Sequence, residues 1–392
     1  MAKFGEIYAH YFKAAGVSGL GAYLKNDSPR LIVKIWVWAS IWVILPQVTI
    51  AHLYTAMFTN IPLATKFLSI SLGLDQLQTT IKSHYILNNI ERFRSIMLDL
   101  DSFHCVNHLG PEVTKASLES TCRFIKWLRS AYNFSCYFTF IAWTMFPVVS
   151  SPKALFFGEN VATMMKVLPP EYPFATNYSP MAQVVYCIES LSTFVILTFF
   201  ASTNLILVTD ILLICQLFRV LNKSVRIDNM RDPMSLRLFA IDHQKLLKIS
   251  TEVRNLLSPV LALQLIVSLI TISLATYEIT MVNQSLTSGG FDHVVLMTRK
   301  SSYTFIIFIE LLLYCWLSTE LELSCSSIRD GVYNGEWVLK GATGYKDMIM
   351  ISMRALKPVR LNAMNIAHLH LGTSVEVLRM AYTYYTYLKR LH

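Results

Sequence analysis

The stretch LGTSVEVLRMAYTYYTYLKRLH, Leu371 to His392, decides how the rest of the chain is read. It is apolar and long enough to complete a membrane crossing, which takes roughly 20 residues. It also carries Glu376, Arg379, Thr383, Thr386 and Arg390. At 3.6 residues per turn these fall on one helical face, with Val377, Leu378, Ala381, Tyr385 and Leu388 mostly elsewhere. Charge at bilayer depth is costly unless it faces protein or water. The stripe therefore has two readings: water runs along that side of the helix, or the helix packs against partners with Glu376 and Arg379 bridged at i,i+3.

Outward from this helix, the composition is that of a polytopic membrane protein. Of 392 residues, 54% are hydrophobic and 15% charged, against roughly 25% charged in a soluble protein, and the mean hydropathy is +0.44. A net charge of +9 would point to nucleic acid only if the basic residues clustered on a soluble surface. Here they sit in loops between apolar runs, so topology accounts for them and no nucleic-acid partner is expected. The 7 cysteines show no metal spacing such as C-x-x-C and read as small buried hydrophobes. No metal, nucleophile or nucleotide constellation is found, so neither an enzyme nor a cofactor is expected. Met1 to Arg30 lacks the continuous apolar core of a signal peptide. Phe4, Ile7, Tyr8, Tyr11 and Phe12 recur at helical spacing, which predicts a cytoplasmic amphipathic segment within residues 1–30.

The apolar runs predict an all-α fold: a single membrane domain over 1–392 with seven transmembrane helices. They lie near Leu31 to Met57, Leu63 to Leu87, Phe124 to Val149, Met181 to Leu221, Leu256 to Val282, Thr304 to Ser324, and Asn365 to the C-terminus. The second holds Lys66, Asp75, Gln76 and Lys82, and so must be covered by protein or face a cavity. The fourth is longer than a membrane is thick and must project beyond it. The basic stretch from Asn222 to Arg254 reads as a helical-looking loop. Residues 326–362 read as a cytoplasmic anchor and half-helix ended by Lys357-Pro358, and residues 365–392 as the seventh helix. About three quarters of the 34 Lys and Arg fall at the N-terminus and in the loops after crossings two, four and six. That asymmetry places the N-terminus in the cytoplasm and the C-terminus outside.

Seven crossings, an inside N-terminus and almost no tail after the last helix resemble the insect odorant receptors. The specific match is C-terminal. Trp337, the Lys357-Pro358 turn and VLRMAYTYYTYLKR at 377–390 are similar to that family's W, K-P and VLK-x-SYSYFTLL pattern. Arg379, Ala381, Thr383 and Tyr385 depart from it. The chain lacks the insertion before the fifth crossing that marks the family's co-receptor, so it resembles an odorant-tuned subunit. Its TYYTYLKRLH ending fits that branch better than the TYhhhhhQF ending (h apolar) of the gustatory receptors. The resemblance implies a ligand-gated, non-selective cation channel, a heterotetramer with the co-receptor in the plasma membrane of olfactory sensory neurons. It implies a pore lined by the last helix, with Thr383 and Thr386 on the polar stripe, Tyr387 and Leu391 at the gate and Arg390 at the filter position. A ring of four arginines would repel cations, which makes this chain a minority partner beside co-receptor subunits.

The implied ligand is a small volatile organic molecule held in the outer half of the bundle, among crossings two, three, four and six. Helical face then selects the candidates. These are Phe67, Ile70, Ser71 and Leu74 on the second crossing, and Ser135, Phe138, Ala142, Trp143 and Phe146 on the third. Tyr186, Ser190, Thr193 and Phe194 are chosen on the fourth, and Tyr303 and Phe308 on the sixth. Each aromatic alone also reads as core. Together they supply rigid apolar walls and a few hydroxyls. A gustatory-type channel of the same superfamily is the nearest alternative. A G-protein-coupled receptor would need an outside N-terminus and usually a cysteine between Ser150 and Pro180, where there is none. A secondary transporter could use Asp75, Glu189 and Glu310 as ion sites, though each also reads as a hydrogen-bonded packing group, and no internal repeat is visible.

Overall fold

A computed structural model describes residues 18–25, 30–100, 111–150, 152–153, 167–168, 172, 174–176, 178–227, 233–285, 291–334, 345–364 and 366–390. Among them the chain is almost wholly helical. A short α1 (Leu20–Lys25) precedes α2 (Leu31–Phe58). Then come α3 (Leu63–Asn88), α4 (Ile90–Leu100), α5 (Pro111–Ser150), α6 (Met181–Ile227), α7 (Pro233–Ser285) and α8 (Phe291–Tyr333). They are followed by α9 (Tyr345–Ala355), a hairpin of β1 (Asn362–Ala363) and β2 (Ala367–His368), and α10 (Leu371–Arg390). The proline expected to kink the first crossing, Pro46, follows a π-helical turn at Ser40–Ile44, and the helix continues through it.

Helices of spanning length need not all look like spans. Among the described residues α2 and most of α6, α7 and α8 are long and apolar enough to cross a membrane. The helices α3, α5 and α10 have 26, 40 and 20 residues, enough length at 1.5 Å per residue, but carry polar groups along them. The centre is α6, in which every residue from Phe199 to Phe218 is buried, so that its polar members, such as Asn204, must find partners inside the bundle. By contrast α2 and α5 turn large apolar side chains outward, among them Ile32, Trp38, Met57, Trp127 and Phe134. So much uncovered apolar surface is destabilising in water and suits a lipid-facing wall.

Three boundaries differ from the sequence reading. The described parts of 222–254 are helical: residues up to Ile227 continue α6, and from Pro233 the chain is continuous with the fifth crossing in the 53-residue α7, roughly 80 Å long. Its amphipathic pattern explains this, since Leu236, Phe239, Leu246, Leu247, Ile249 and Val253 are buried on one face while Arg237 and Lys248 are exposed. The sixth crossing is longer at both ends, so residues 326–333 belong to α8, and the half-helix is α9 alone. The last helix starts at Leu371 rather than near Asn365. Met364 takes a left-handed φ of 46°, and the antiparallel pairing of Asn362 with His368 occupies the preceding segment. The N-terminal aromatics Phe4 to Phe12 and Trp337 lie outside the described residues.

Candidate ligand cavity and pore helix

Between α3, α5, α6 and α8 lies a partly open cavity, with an empty volume of ≈ 590 Å³ that includes open solvent. Its walls are Leu72, Asp75, Gln76 and Thr79 of α3, Thr139 and Trp143 of α5, and Thr193, Ile196, Leu197 and Phe200 of α6. Tyr303, Ile306 and Ile307 of α8 and Leu168 of the α5–α6 connection complete them. Helical spacing generates each wall: 72, 75/76 and 79 lie one above another on α3, as do 193, 196/197 and 200 on α6. Trp143 is held from two sides. The Arg299 guanidinium sits 3.9 Å from its ring centroid, and the Tyr303 ring meets it edge-on at 6.2 Å. Tyr303 in turn donates its hydroxyl to Asp75.

From the connection between α5 and α6, Leu168 reaches the cavity. The Leu168 amide donates to Glu189 at 3.1 Å, the Tyr172 hydroxyl donates to the same carboxylate at 3.1 Å, and Arg299 donates to the Val167 carbonyl. Two buried charges thus hold Leu168 against the cavity. Burial and the Glu189 carboxylate push the Tyr172 phenol well up from its ordinary pKa, so Tyr172 stays the donor at any physiological pH.

Deeper in the bundle the polar residues of the second crossing find partners. Lys82 donates to Glu310 at 2.8 Å, to Asn204 at 3.1 Å and to Gln264. Gln264 donates to Glu310 and Ser268, Tyr314 donates to Asn204 at 2.7 Å, and Asn204 donates to Tyr132 at 2.9 Å. One network therefore ties α3, α5, α6, α7 and α8 together. Glu310 and Glu189 are hydrogen-bonded packing groups in this arrangement, while Asp75 lines the cavity.

Of the fifteen expected ligand residues, Trp143, Thr193 and Tyr303 line the cavity. The others do not. Phe67 packs edge-on against Tyr277, Phe194 against Phe140, and Phe138 stands outward beside Phe134. Ser71 is buried and donates to the Leu68 carbonyl, and the Tyr186 hydroxyl donates to the Thr144 carbonyl at 3.1 Å. Ile70, Leu74, Ser135, Ala142, Ser190 and Phe308 are half-buried away from it, and the side chain of Phe146 lies outside the described residues. Two differences of helical face separate the expected residues from the cavity lining. The face chosen on α3 was rotated by about one residue, and on α6 the choice sat a turn or two too near the helix start. Asp75 and Gln76 carried the missed signal, because polar groups on a spanning helix must face a partner or a cavity.

The last helix is packed along one narrow stripe. Thr373, Ser374, Val377 and Ala381 are buried, whereas Glu376, Arg379, Thr383, Tyr387 and Arg390 are exposed and Thr386 is half-buried. Among the described residues no ion pair joins Glu376 to Arg379, so the packing reading lacks its bridge. Thr383 donates to the Arg379 carbonyl at 2.9 Å and Thr386 to the Thr383 carbonyl at 2.8 Å, which leaves hydroxyl lone pairs directed away from the helix. Leu391 lies outside the described residues. The start of α10 is fixed to α8: Ser318 donates to the Leu369 carbonyl at 2.7 Å, and the Leu371 amide donates to Thr319 at 3.1 Å.

With this geometry in hand, comparison with known proteins is informative. Residues 50–382 match the family model described as 7tm Odorant receptor. Over 96 residues, 24% of this chain and 25% of the relative, the sequence is 28% identical to Odorant receptor Or2 of Anopheles gambiae. Over 92 residues, 24% of each chain, it is 25% identical to Odorant receptor 10 of Aedes albopictus. The chain thus spans about a quarter of the curated relatives it matches. The fold is similar to that of the insect olfactory receptor OR5 from Machilis hrabei, with TM-score 0.82, and 0.81 for the same receptor in complex with eugenol. Those superpositions cover 98% of this chain and 100% of the other at 17% identity, which is a likeness of fold.

Proposed function

We propose, for a chain that belongs to the 7tm odorant receptor family, that it is the odorant-binding subunit of a heteromeric ligand-gated cation channel. Family membership makes it a multi-pass membrane protein of insect olfaction. The proposal adds the parts. A small volatile ligand occupies the cavity between α3, α5, α6 and α8. The N-terminus is cytoplasmic and the C-terminus outside, in the plasma membrane of olfactory sensory neurons. α10 lines a central pore shared with co-receptor subunits.

The observation that carries this reading is that one helix bears both ends of the coupling. α8 supplies Tyr303, Ile306 and Ile307 to the cavity wall, and about three to four turns on, its Ser318 and Thr319 hold the start of α10. Cavity residues and the buried stripe of α10, Val377 and Ala381, belong to a single apolar cluster. A ligand that fits the cavity better in one setting of α8 shifts the population toward that setting, and α10 moves with it. The exposed stripe on α10 supports a water-facing role, and the outward lone pairs of Thr383 and Thr386 suit a cation.

The test is expression with and without co-receptor, each chain carrying a C-terminal epitope tag. Odour-evoked current should require the co-receptor, and the tag should stain on intact cells. Robust currents from this chain alone, or a tag reachable only after permeabilisation, would overturn the reading. Within the channel, Arg390→Gln should raise cation permeation or change selectivity, because it removes a positive charge from the water-lined path. Unchanged permeability at normal surface levels would take Arg390 out of the pore.

A further inference from the structure

Buried polar atoms in proteins are nearly always hydrogen-bonded, and each exception needs an explanation. Two exceptions meet at the cavity. The indole Nε1 of Trp143 and the amide Oε1 of Gln76 are buried without a partner, on side chains that are each 3% exposed and both line it. The protons of the cavity's hydroxyl groups are already spent. Thr79, Thr139 and Thr193 donate to the carbonyls of Asp75, Ser135 and Glu189 on their own helices, and Asp75 accepts from Tyr303. The cavity thus holds an indole donor and an amide acceptor that are both unfilled.

From this pair we infer that the ligand is a volatile alcohol or phenol, whose hydroxyl oxygen accepts from Trp143 Nε1 and whose hydroxyl proton is donated to Gln76 Oε1. The inference rests on the reading of this cavity as the odorant site. The chemistry of the alternatives separates them. A hydrocarbon leaves both atoms unpaired. An ether, ester, aldehyde or ketone accepts from Trp143 but has no proton for Gln76. An ammonium has protons but no lone pair for Trp143, and it would meet the Arg299 guanidinium beside that ring. A carboxylate has no proton at neutral pH and would be desolvated near Asp75. A hydroxyl serves both atoms. The Arg299 charge against the indole face also draws electron density from the ring and makes its N–H a better donor. A single water is the competing occupant; a cavity whose polar needs water meets would not distinguish an alcohol from its ether.

The probes are alcohols of six to ten carbons and alkylphenols, each paired with its methyl ether and the matching hydrocarbon, applied to the chain co-expressed with co-receptor. In the wild type each active alcohol should be about 10-fold or more as potent as its ether, since the ether leaves Gln76 Oε1 unpaired. Gln76→Leu should bring that ratio to within about 3-fold, and Gln76→Met, of similar length, is the second variant should the first not reach the surface. Trp143→Phe should narrow the advantage of alcohol and ether alike over hydrocarbon. Equal potency of alcohol and ether in the wild type, or a ratio unmoved by either Gln76 variant, overturns the inference. If that happens while Trp143→Phe still shifts potency, the odorant site stands and only the ligand class falls. Silence across the whole panel, with a direct co-receptor agonist still effective, removes the cavity as the odorant site and the inference with it.

Discussion

Replacing Lys82 by Met is expected to cost about 3–5 kcal/mol and to abolish most surface expression. Lys82 is 1% exposed and is surrounded by Glu310, Asn204 and Gln264. Methionine fills much of the same volume but leaves the Glu310 carboxylate buried without its cation. It also strips a donor from two side-chain carbonyls at once. A loss of that size is a large share of the roughly 5–15 kcal/mol that hold a domain folded. The double replacement Lys82→Met with Glu310→Leu should recover part of the loss, because a missing buried pair is cheaper than half of one. Surface biotinylation and thermal stability of the detergent-solubilised receptor measure both variants. A Lys82→Met receptor with wild-type surface level and melting behaviour would show that the network does not hold the bundle together.

Replacing Trp143 by Ala is expected to lower odorant potency roughly 5- to 150-fold, equivalent to about 1–3 kcal/mol. The indole supplies a flat wall of the cavity and carries the Arg299 guanidinium on its other contact. Tyr186→Phe makes the contrast. Its hydroxyl is spent on the Thr144 carbonyl and it does not line the cavity, so potency should change by less than about 3-fold. Dose–response curves in the co-expressed channel, with a direct co-receptor agonist as the reference, read both. A fall in the odorant and agonist responses together after Trp143→Ala would make the tryptophan a structural residue. A large shift from Tyr186→Phe would move the ligand toward the start of α6.

Several features of the molecule were set by local chemistry and could be read from the chain. Apolar runs bounded by polar loops gave the helices of spanning length, because the 30 Å hydrocarbon layer fixes how many residues a crossing needs. Trp143, Thr193 and Tyr303, chosen as bulky and hydroxyl residues at helical spacing, line the cavity between the helices. The lone stripe on the last helix was legible for the same reason, since periodicity alone puts Glu376, Arg379, Thr383 and Arg390 on one face.

What the tertiary structure decided is which face meets which. Whether Asp75 and Lys82 share a site depends on the approach of helices far apart in sequence, and only packing sends Lys82 to Glu310 while Asp75 turns to Tyr303 and the cavity. A rotation of about 100°, one residue, separates the face chosen on α3 from the one that lines the cavity. Leu168 enters from a proline-rich connection with no periodicity to read, held there by Glu189 and Arg299. The hairpin before α10 likewise follows from the pairing of Asn362 with His368 and from Met364 in a left-handed conformation, which no local pattern encodes. Sequence periodicity fixes what a helix can present; the identity of its neighbour is settled by the packing of the whole bundle.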